Sequence, residues 1–508
     1  MTLPRGVYDR DDLTKDQTLF ADVVIVGSGA GGGTLAAELA EEGVDVIVLE
    51  EGSYNTEFDS HASKAIRRMY RDAGATMSLG NPPILYQEGM TVGGSAVING
   101  GMKWRTPDNI LHRWDVEDGL DRIGPKEMDF FFSRVENRIN VAYQDPESIG
   151  RDNQLLKEGA DKNGWDVIPN RRNQLHCSGT NNCAWGCPTG AKRSPIVTYI
   201  PRALHFGARI YSNVRVGKIL RKGKRAVGVE GRVVKANGKT GARITVAAKL
   251  VVSSCGSIQT PALLSRSGFK SPSGQLGRNL SMHPNVKVMA IFDEDVRGWE
   301  GVHQAYQVRE FKQEGFVFAA VNIPPSIVAM TAPHYGRGLA DVMADYNKTV
   351  IAGLLLEDTS LGRVVTLPGG APVALYQLNQ IDFEKLRRGL EMLCELLFSV
   401  GAKRVLLPVD GMDEPTNADE ARAILARGFP RSALEVVTVH LMGTARMGID
   451  RRWAVTDSYG MFHDAAGLMV CDASLFPSPI GVNPCLTIQT LATRNAAHIL
   501  DNRKRYLQ

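Results

Sequence analysis

The sequence predicts an α/β chain with a Rossmann-type domain beside a second domain, whose mixed or antiparallel sheet is flanked by helices. Three observations predict it. Residues 22–52 alternate strand, glycine-rich turn, helix and strand; residues 314–330 and 348–367 read as sheet strands separated by turn signals; residues 381–404 and 416–428 carry the spacing of amphipathic helices.

The first unit reads DVVIVGSGAGGGTLAAELAEEGVDVIVLEEG. Residues 23–26 form a short apolar run suited to a buried parallel strand. Gly27, Gly29 and Gly32 then complete G-x-G-x-x-G, a helical stretch is expected over 34–42, and a second apolar run at 44–49 ends on Glu50. Glycines at these places let the backbone turn sharply and approach a pyrophosphate, which the helix N-terminus stabilises with its free N–H groups. An acid about 20 residues on accepts hydrogen bonds from a ribose. The ordered context, more than the glycines alone, points to a dinucleotide, without separating NAD from FAD.

The bulk properties exclude other classes. A chain of 508 residues, 43% hydrophobic and 22% charged, has the composition of a globular protein. A net charge of +4 is small at this length, and no basic run carries interleaved aromatics, so nucleic acid is not an expected partner. No run of about 18 uncharged apolar residues predicts a transmembrane segment. The first residues show neither an apolar export region nor a twin arginine, so the expected compartment is a reducing cytoplasm.

Further along, residues 89–105, GMTVGGSAVINGGMKWR, resemble the first signature of the glucose–methanol–choline (GMC) oxidoreductases. GSIQTP at 256–261 resembles the second signature. GQLGRNLSMHPNV at 274–286 is similar to a third element, with Met282 where the family has Asp. HLMGTARMG at 440–448 and the segment 471–499 resemble the C-terminal active-site elements. The family binds FAD, so the resemblance implies FAD and a fold in which the Rossmann-type FAD-binding domain is built from discontinuous segments. These are 18–110, 195–285 and 440–508; residues 111–194 and 286–439 are left to a substrate-binding domain.

The resemblance also implies site residues. Gly27, Gly29, Gly32 and Glu50 hold the ADP half, and the backbone of Val216 meets the adenine. Gly94, Ser95 and Asn99 lie near pyrophosphate and flavin, and Asp472 and Ala473 near the ribityl chain. Among ten histidines, His440 takes the catalytic place and Asn483 that of the second polar group. The chemistry agrees: oxidising an alcohol removes the hydroxyl proton while hydride leaves to flavin N5. A histidine of ordinary pKa near 6.5 suits the first task, and an amide can hold the developing alkoxide. His463 reads as a turn residue, His283 as a structural match, and His112 fits no flavin-attachment pattern. The implied activity is oxidation of a small-molecule alcohol; rivals are a sugar or polyol dehydrogenase with an iron–sulfur relay, and a non-redox flavoprotein lyase. Phe316, Phe318, Ile323, Ile327 and Met330 read as sheet core, or as the wall of a site for a hydrophobic alcohol.

Three of the seven cysteines fall in CSGTNNCAWGCPTGAK at 177–192. The segment is similar to the cluster-binding stretch of bacterial FAD-dependent glucose dehydrogenases, which implies a 3Fe–4S cluster on Cys177, Cys183 and Cys187 and electron transfer to a quinone or partner protein. It also resembles the long-chain alcohol oxidases, which imply no iron. A structural zinc would draw on His176 as fourth ligand, and reduced thiols or a disulfide complete the alternatives. Cys255, Cys394, Cys471 and Cys485 read as small buried hydrophobes.

Overall fold

The structure, a computed structural model, describes residues 3–58, 61–332 and 334–508. Strand β1 (Gln17–Val26), helix α1 (Ala30–Glu41) and strand β2 (Val46–Leu49) form the expected βαβ unit. The helix starts four residues before the predicted stretch at 34–42, because the glycine turn itself begins it: Gly29 is its N-cap. Gly27 takes φ +96°, and a Cβ there would stand 2.3 Å from the Ser254 carbonyl oxygen, so only glycine makes this turn.

Strand β3 (Thr240–Ser253) lies parallel to β1, pairing Ile244–Ser253 with Gln17–Val26. Among the described residues the sheet has eight strands. Parallel strands surround β1, including Arg209–Tyr211 and Leu468–Val470, while Val214–Lys222 and Arg225–Val234 extend it as an antiparallel ribbon. Val23, Val24 and Ile25 are fully buried, as a central parallel strand covered on both faces requires. The C-terminal helix Cys485–Asp501 packs on α1 and brings residue 485 to the end of the sheet where the glycine turn lies.

The second sheet is mixed, with nine strands among the described residues. Its centre is antiparallel: β4 (Asn285–Ile291), β5 (Tyr306–Val308), β6 (Phe316–Ala320) and β7 (Thr349–Leu356) stand in the order β4-β7-β6-β5. Thr76–Ser78, Ile84–Tyr86 and Val436–Thr438 continue it beyond β4, the last two pairing in parallel. Helix α2 (Gln380–Ser399) covers one face, its N-terminus capped by the Asn379 side chain, which accepts from the Asp382 N–H at 2.8 Å. The helix expected over 416–428 is observed as Ala418–Ala426.

One strand expectation is corrected. Residues 314–330 give a strand only as far as Ala320; Pro325–Thr331 is a helix, because proline at its first position has no N–H to lose and a φ already helical. The run 348–367 splits into β7 and Gly362–Thr366, which belongs to a separate three-stranded sheet. Phe316 and Phe318 are core, packed with Phe311 beneath α2. Ile323 and Ile327 line the central cavity; the Met330 side chain lies outside the described residues.

Candidate active site

The two sheets meet at a cavity of about 1690 Å³. Gly27, Gly29, Glu50, Gly94, Ser95, Asn99, Val216, Asp472, Ala473, His440 and Asn483 all line it. Gly32 stands behind the wall, where a Cβ would come 2.0 Å from the Gly27 carbonyl oxygen; it closes the turn and does not face the cavity. Gly94 takes φ +58°, with its Cβ position 2.7 Å from Gly29 Cα. The two glycine segments thus press together and leave bare backbone facing the space.

Glu50 is buried, which pushes its carboxyl up, while hydrogen bonds from Gly52 and Ser28 act against that shift. It accepts from Ser28 N–H at 3.0 Å, Ser28 Oγ at 2.7 Å and Gly52 N–H at 2.8 Å. Glu50 also lines the cavity, and a carboxylate with three donors keeps acceptor capacity for a ribose hydroxyl. Asp472 differs. Its two oxygens accept from Gly256 N–H, Thr260 Oγ1, Ser474 N–H and Ser474 Oγ. That side chain is saturated by the protein, so contact with a ligand here falls to the backbone of Asp472 and Ala473. The small side chains, the exposed backbone and the Glu50 acceptor fit an adenine dinucleotide.

At the other end His440 and Asn483 face each other, Nε2 and Nδ2 separated by 3.3 Å. Behind them lies His283, read from sequence as structural: its Nδ1 is 3.3 Å from His440 Nδ1, with the rings perpendicular. Gly481 N–H donates to His283 Nε2 at 3.2 Å. Burial lowers the His440 pKa to about 4, and burial together with the neighbouring His440 holds His283 well below its ordinary value. Both rings are therefore neutral at neutral pH, and one proton is shared between the two Nδ1 atoms.

Two proton arrangements satisfy that contact. With the Gly481 N–H on Nε2, His283 carries its proton on Nδ1 and His440 on Nε2. With His283 protonated at Nε2, His440 keeps its proton on Nδ1 and offers Nε2 as an acceptor. The Gly481 contact favours the first and the Asn483 amide, with Nδ2 toward His440, the second. Because Asn483 Oδ1 is buried without a partner, turning the amide lets it serve either arrangement.

Met282, where the family has Asp, is answered in space. Asp358 accepts from Met282 N–H at 2.9 Å, His283 N–H at 3.1 Å and Tyr376 OH at 2.7 Å. No local pattern could have placed residue 358 there; β7 carries it across the sheet.

The other histidines fall away from the site. His463 contacts the Gly448 carbonyl at 2.9 Å in a turn, and His112 is exposed on helix Asp108–Val116. Of the cysteines read as plain hydrophobes, Cys394 and Cys471 are buried, but Cys255 and Cys485 line the cavity. Cys485 Sγ accepts from the buried Lys103 ammonium at 2.7 Å, so it is a polar partner there.

Cys177, Cys183 and Cys187 are free thiols lining a separate cavity of about 20 Å³. The disulfide alternative is thereby corrected. Among the described residues no three His, Cys, Asp or Glu groups converge to hold one metal ion. The thiols do meet donors. Arg172 donates to Cys183 at 3.2 Å. Burial pushes Cys177 up, whereas at Cys187 hydrogen bonds from Thr189 and Lys192 outweigh burial and hold the thiol below its ordinary value. Lys192, lowered to about 8 by burial, donates to the carbonyls of Val97, Asn99 and Cys183, tying this loop to the 94–99 segment. Three thiols with N–H donors and two buried cations suit an anionic cluster chemically. The volume, enough for about one water, does not suit it unless the loop opens.

Comparison with known proteins places these features. Residues 66–285 and 365–492 match two family models described as GMC oxidoreductase, and residues 22–74 match an FAD binding domain. A GMC-type oxidoreductase of Mycobacterium tuberculosis is 36% identical, over 93% of this chain and 74% of its own length. One from Sinorhizobium fredii is 33% identical, over 97% of both chains. A long-chain-alcohol oxidase of Arabidopsis thaliana is 30% identical, over 98% of this chain and 70% of the relative. Among solved structures, pyridoxine 4-oxidase superposes with a TM-score of 0.72 at 20% identity, covering 95% of this chain and 99% of that one. With the glycine turn, the Glu50 acceptor and the paired ring at His440 on one cavity, the chain belongs to the GMC oxidoreductases, the FAD-binding α/β oxidoreductases its sequence resembles.

Proposed function

We propose that the protein oxidises a hydrophobic alcohol to a carbonyl compound. FAD is held by residues 18–110, 195–285 and 440–508, and substrate by 111–194 and 286–439. The observation that carries the reading is the Asn483–His440–His283 line, two neutral imidazoles in series opening on the cavity. Bound FAD supplies the hydride acceptor. The chain supplies the proton chemistry: in the second arrangement His440 Nε2 accepts the hydroxyl proton. His283 sets which ring nitrogen is free, and the Asn483 amide hydrogen-bonds the oxygen that becomes an alkoxide. The walls from Val317, Val321, Ile323, Ile327 and Leu355 exclude water and suit an alkyl or cyclic substrate. The long-chain-alcohol oxidase relatives support the same class.

The test is anaerobic addition of dodecanol to the FAD-loaded protein. Bleaching of the flavin's visible absorbance is expected; unchanged absorbance would favour the non-redox lyase. A second reading, a sugar or polyol dehydrogenase relaying electrons through a 3Fe–4S cluster on Cys177, Cys183 and Cys187, is favoured only by the donors around those thiols. An iron assay with a visible spectrum decides it: about three irons per flavin supports a relay to a quinone or protein partner, and a flavin-only spectrum removes it.

A further inference from the structure

Where the FAD-side segment ending at residue 285 meets the substrate segment, the cavity contains a cation that the chemistry above does not use. Asn285 and Lys287 alternate on β4 with their side chains on the cavity face. Across the sheet Lys287 pairs with Gly353 of β7, and Gly353 with Ala319 of β6. Two small residues therefore floor a trough beside the lysine. A Cβ on Gly353 would lie 3.2 Å from Asn285 Oδ1, 3.5 Å from Asn285 Nδ2 and 3.6 Å from Lys287 Cγ, so both side chains lean over this one glycine.

Among the described residues neither side chain has a protein partner. Asn285 Oδ1 is buried without a hydrogen bond, and among the described residues Lys287 makes neither hydrogen bond nor ion pair. Burial alone lowers the amine to about 8; Glu50, Glu88 and Glu435, which line the cavity elsewhere, do not act on it. The neighbouring ionisable ring, His303, is held at about 3 by burial and by Arg172, Lys287 and Lys192, so this end of the cavity is electropositive. Lys287 is half-buried in the cavity wall; once a ligand displaces water there, an amine without a counter-charge is costly and calls for a compensating anion. The described residues supply none, and the surrounding wall of Val317, Val321 and Leu355 is apolar.

We infer that Lys287 and Asn285 form a receptor for a carboxylate on the substrate, so that the alcohol oxidised here carries an acid at a distance from its hydroxyl. Lys287 gives the charge, the Asn285 amide turns to donate a second hydrogen bond, and the Gly353–Ala319 floor makes room for the head group. The inference rests on reading the cavity as the alcohol site.

Equilibrium dialysis of dodecanoate, which has no hydroxyl to oxidise, against the FAD-loaded protein tests the receptor without turnover. Wild type is expected to bind dodecanoate more tightly than dodecanol. Lys287→Met should weaken dodecanoate about ten- to a hundredfold and leave dodecanol unchanged, while Lys287→Arg retains most of the binding. Equal FAD content in the three proteins shows that each is folded. Equal dodecanoate affinity in wild type and Lys287→Met, or no preference for the acid in wild type, overturns the receptor. Anaerobic flavin bleaching by 12-hydroxydodecanoate is read separately. Discrimination in dialysis without bleaching would retain the receptor and reject alcohol oxidation.

Discussion

At the residue scale, the proposed catalysis turns on the proton between His283 and His440. His440→Asn removes the acceptor and should lower the rate of flavin reduction about 10²- to 10⁴-fold while FAD content is retained; stopped-flow absorbance measures it. His283→Leu keeps His440 but removes the partner that fixes its tautomer. It should reduce kcat more than KM and shift the pH profile, whereas a purely structural role would lower FAD content or stability and leave the profile in place. The pH dependence has a definite sign. His440, lowered by burial to about 4, is neutral and able to accept a proton above that value; flavin reduction should be level from neutral pH downward and fall as pH passes about 4. Stability weakens earlier. The unfolded chain binds protons at these histidines below about 6.5, and the native state resists them, so unfolding should become easier as pH drops from there toward 4. Histidine spacing alone could not reveal this pair, because His283 and His440 meet only when the ends of two strands are brought together.

At the element scale, the glycine turn after β1 and the Gly94 segment were legible because their geometry admits few residues. Gly94→Ala, at φ +58° with its added atom 2.7 Å from Gly29 Cα, should abolish FAD retention, checked by the flavin-to-protein absorbance ratio. The start of α1 and the helix at Pro325–Thr331 escape apolar periodicity, because glycine and proline chemistry decide those boundaries. The loop at 177–192 illustrates a further limit. Its cysteines were conspicuous in sequence, but the residue that binds the loop to the FAD side is Lys192, whose ammonium serves three carbonyls. Lys192→Met leaves those oxygens without a donor and should cost about 1–3 kcal/mol, seen as a lower melting temperature.

At the scale of the whole molecule, the fold separates what is shared from what is particular to this chain. Its nucleotide half follows from motifs that act within short stretches: Gly27 and Glu50 belong to one βαβ unit and carry their meaning locally. The proposed receptor and the histidine pair depend on neighbours distant in sequence, such as Lys287 with Gly353 and Asp358 with His283, which come together only when β4, β6 and β7 are in register. His283 and Asn285 alternate inside the family element at 274–286 and Lys287 continues the alternation just past its end, a local signal that the sequence does carry. The cavity between the two sheets is the proposed site of alcohol oxidation, governed by His440. Its most direct test is the rate of anaerobic flavin bleaching by dodecanol in wild type and in His440→Asn. Rapid bleaching in the first and a loss of at least about a hundredfold in the second is the predicted result. Equal rates in the two proteins, or no bleaching in wild type, would contradict it.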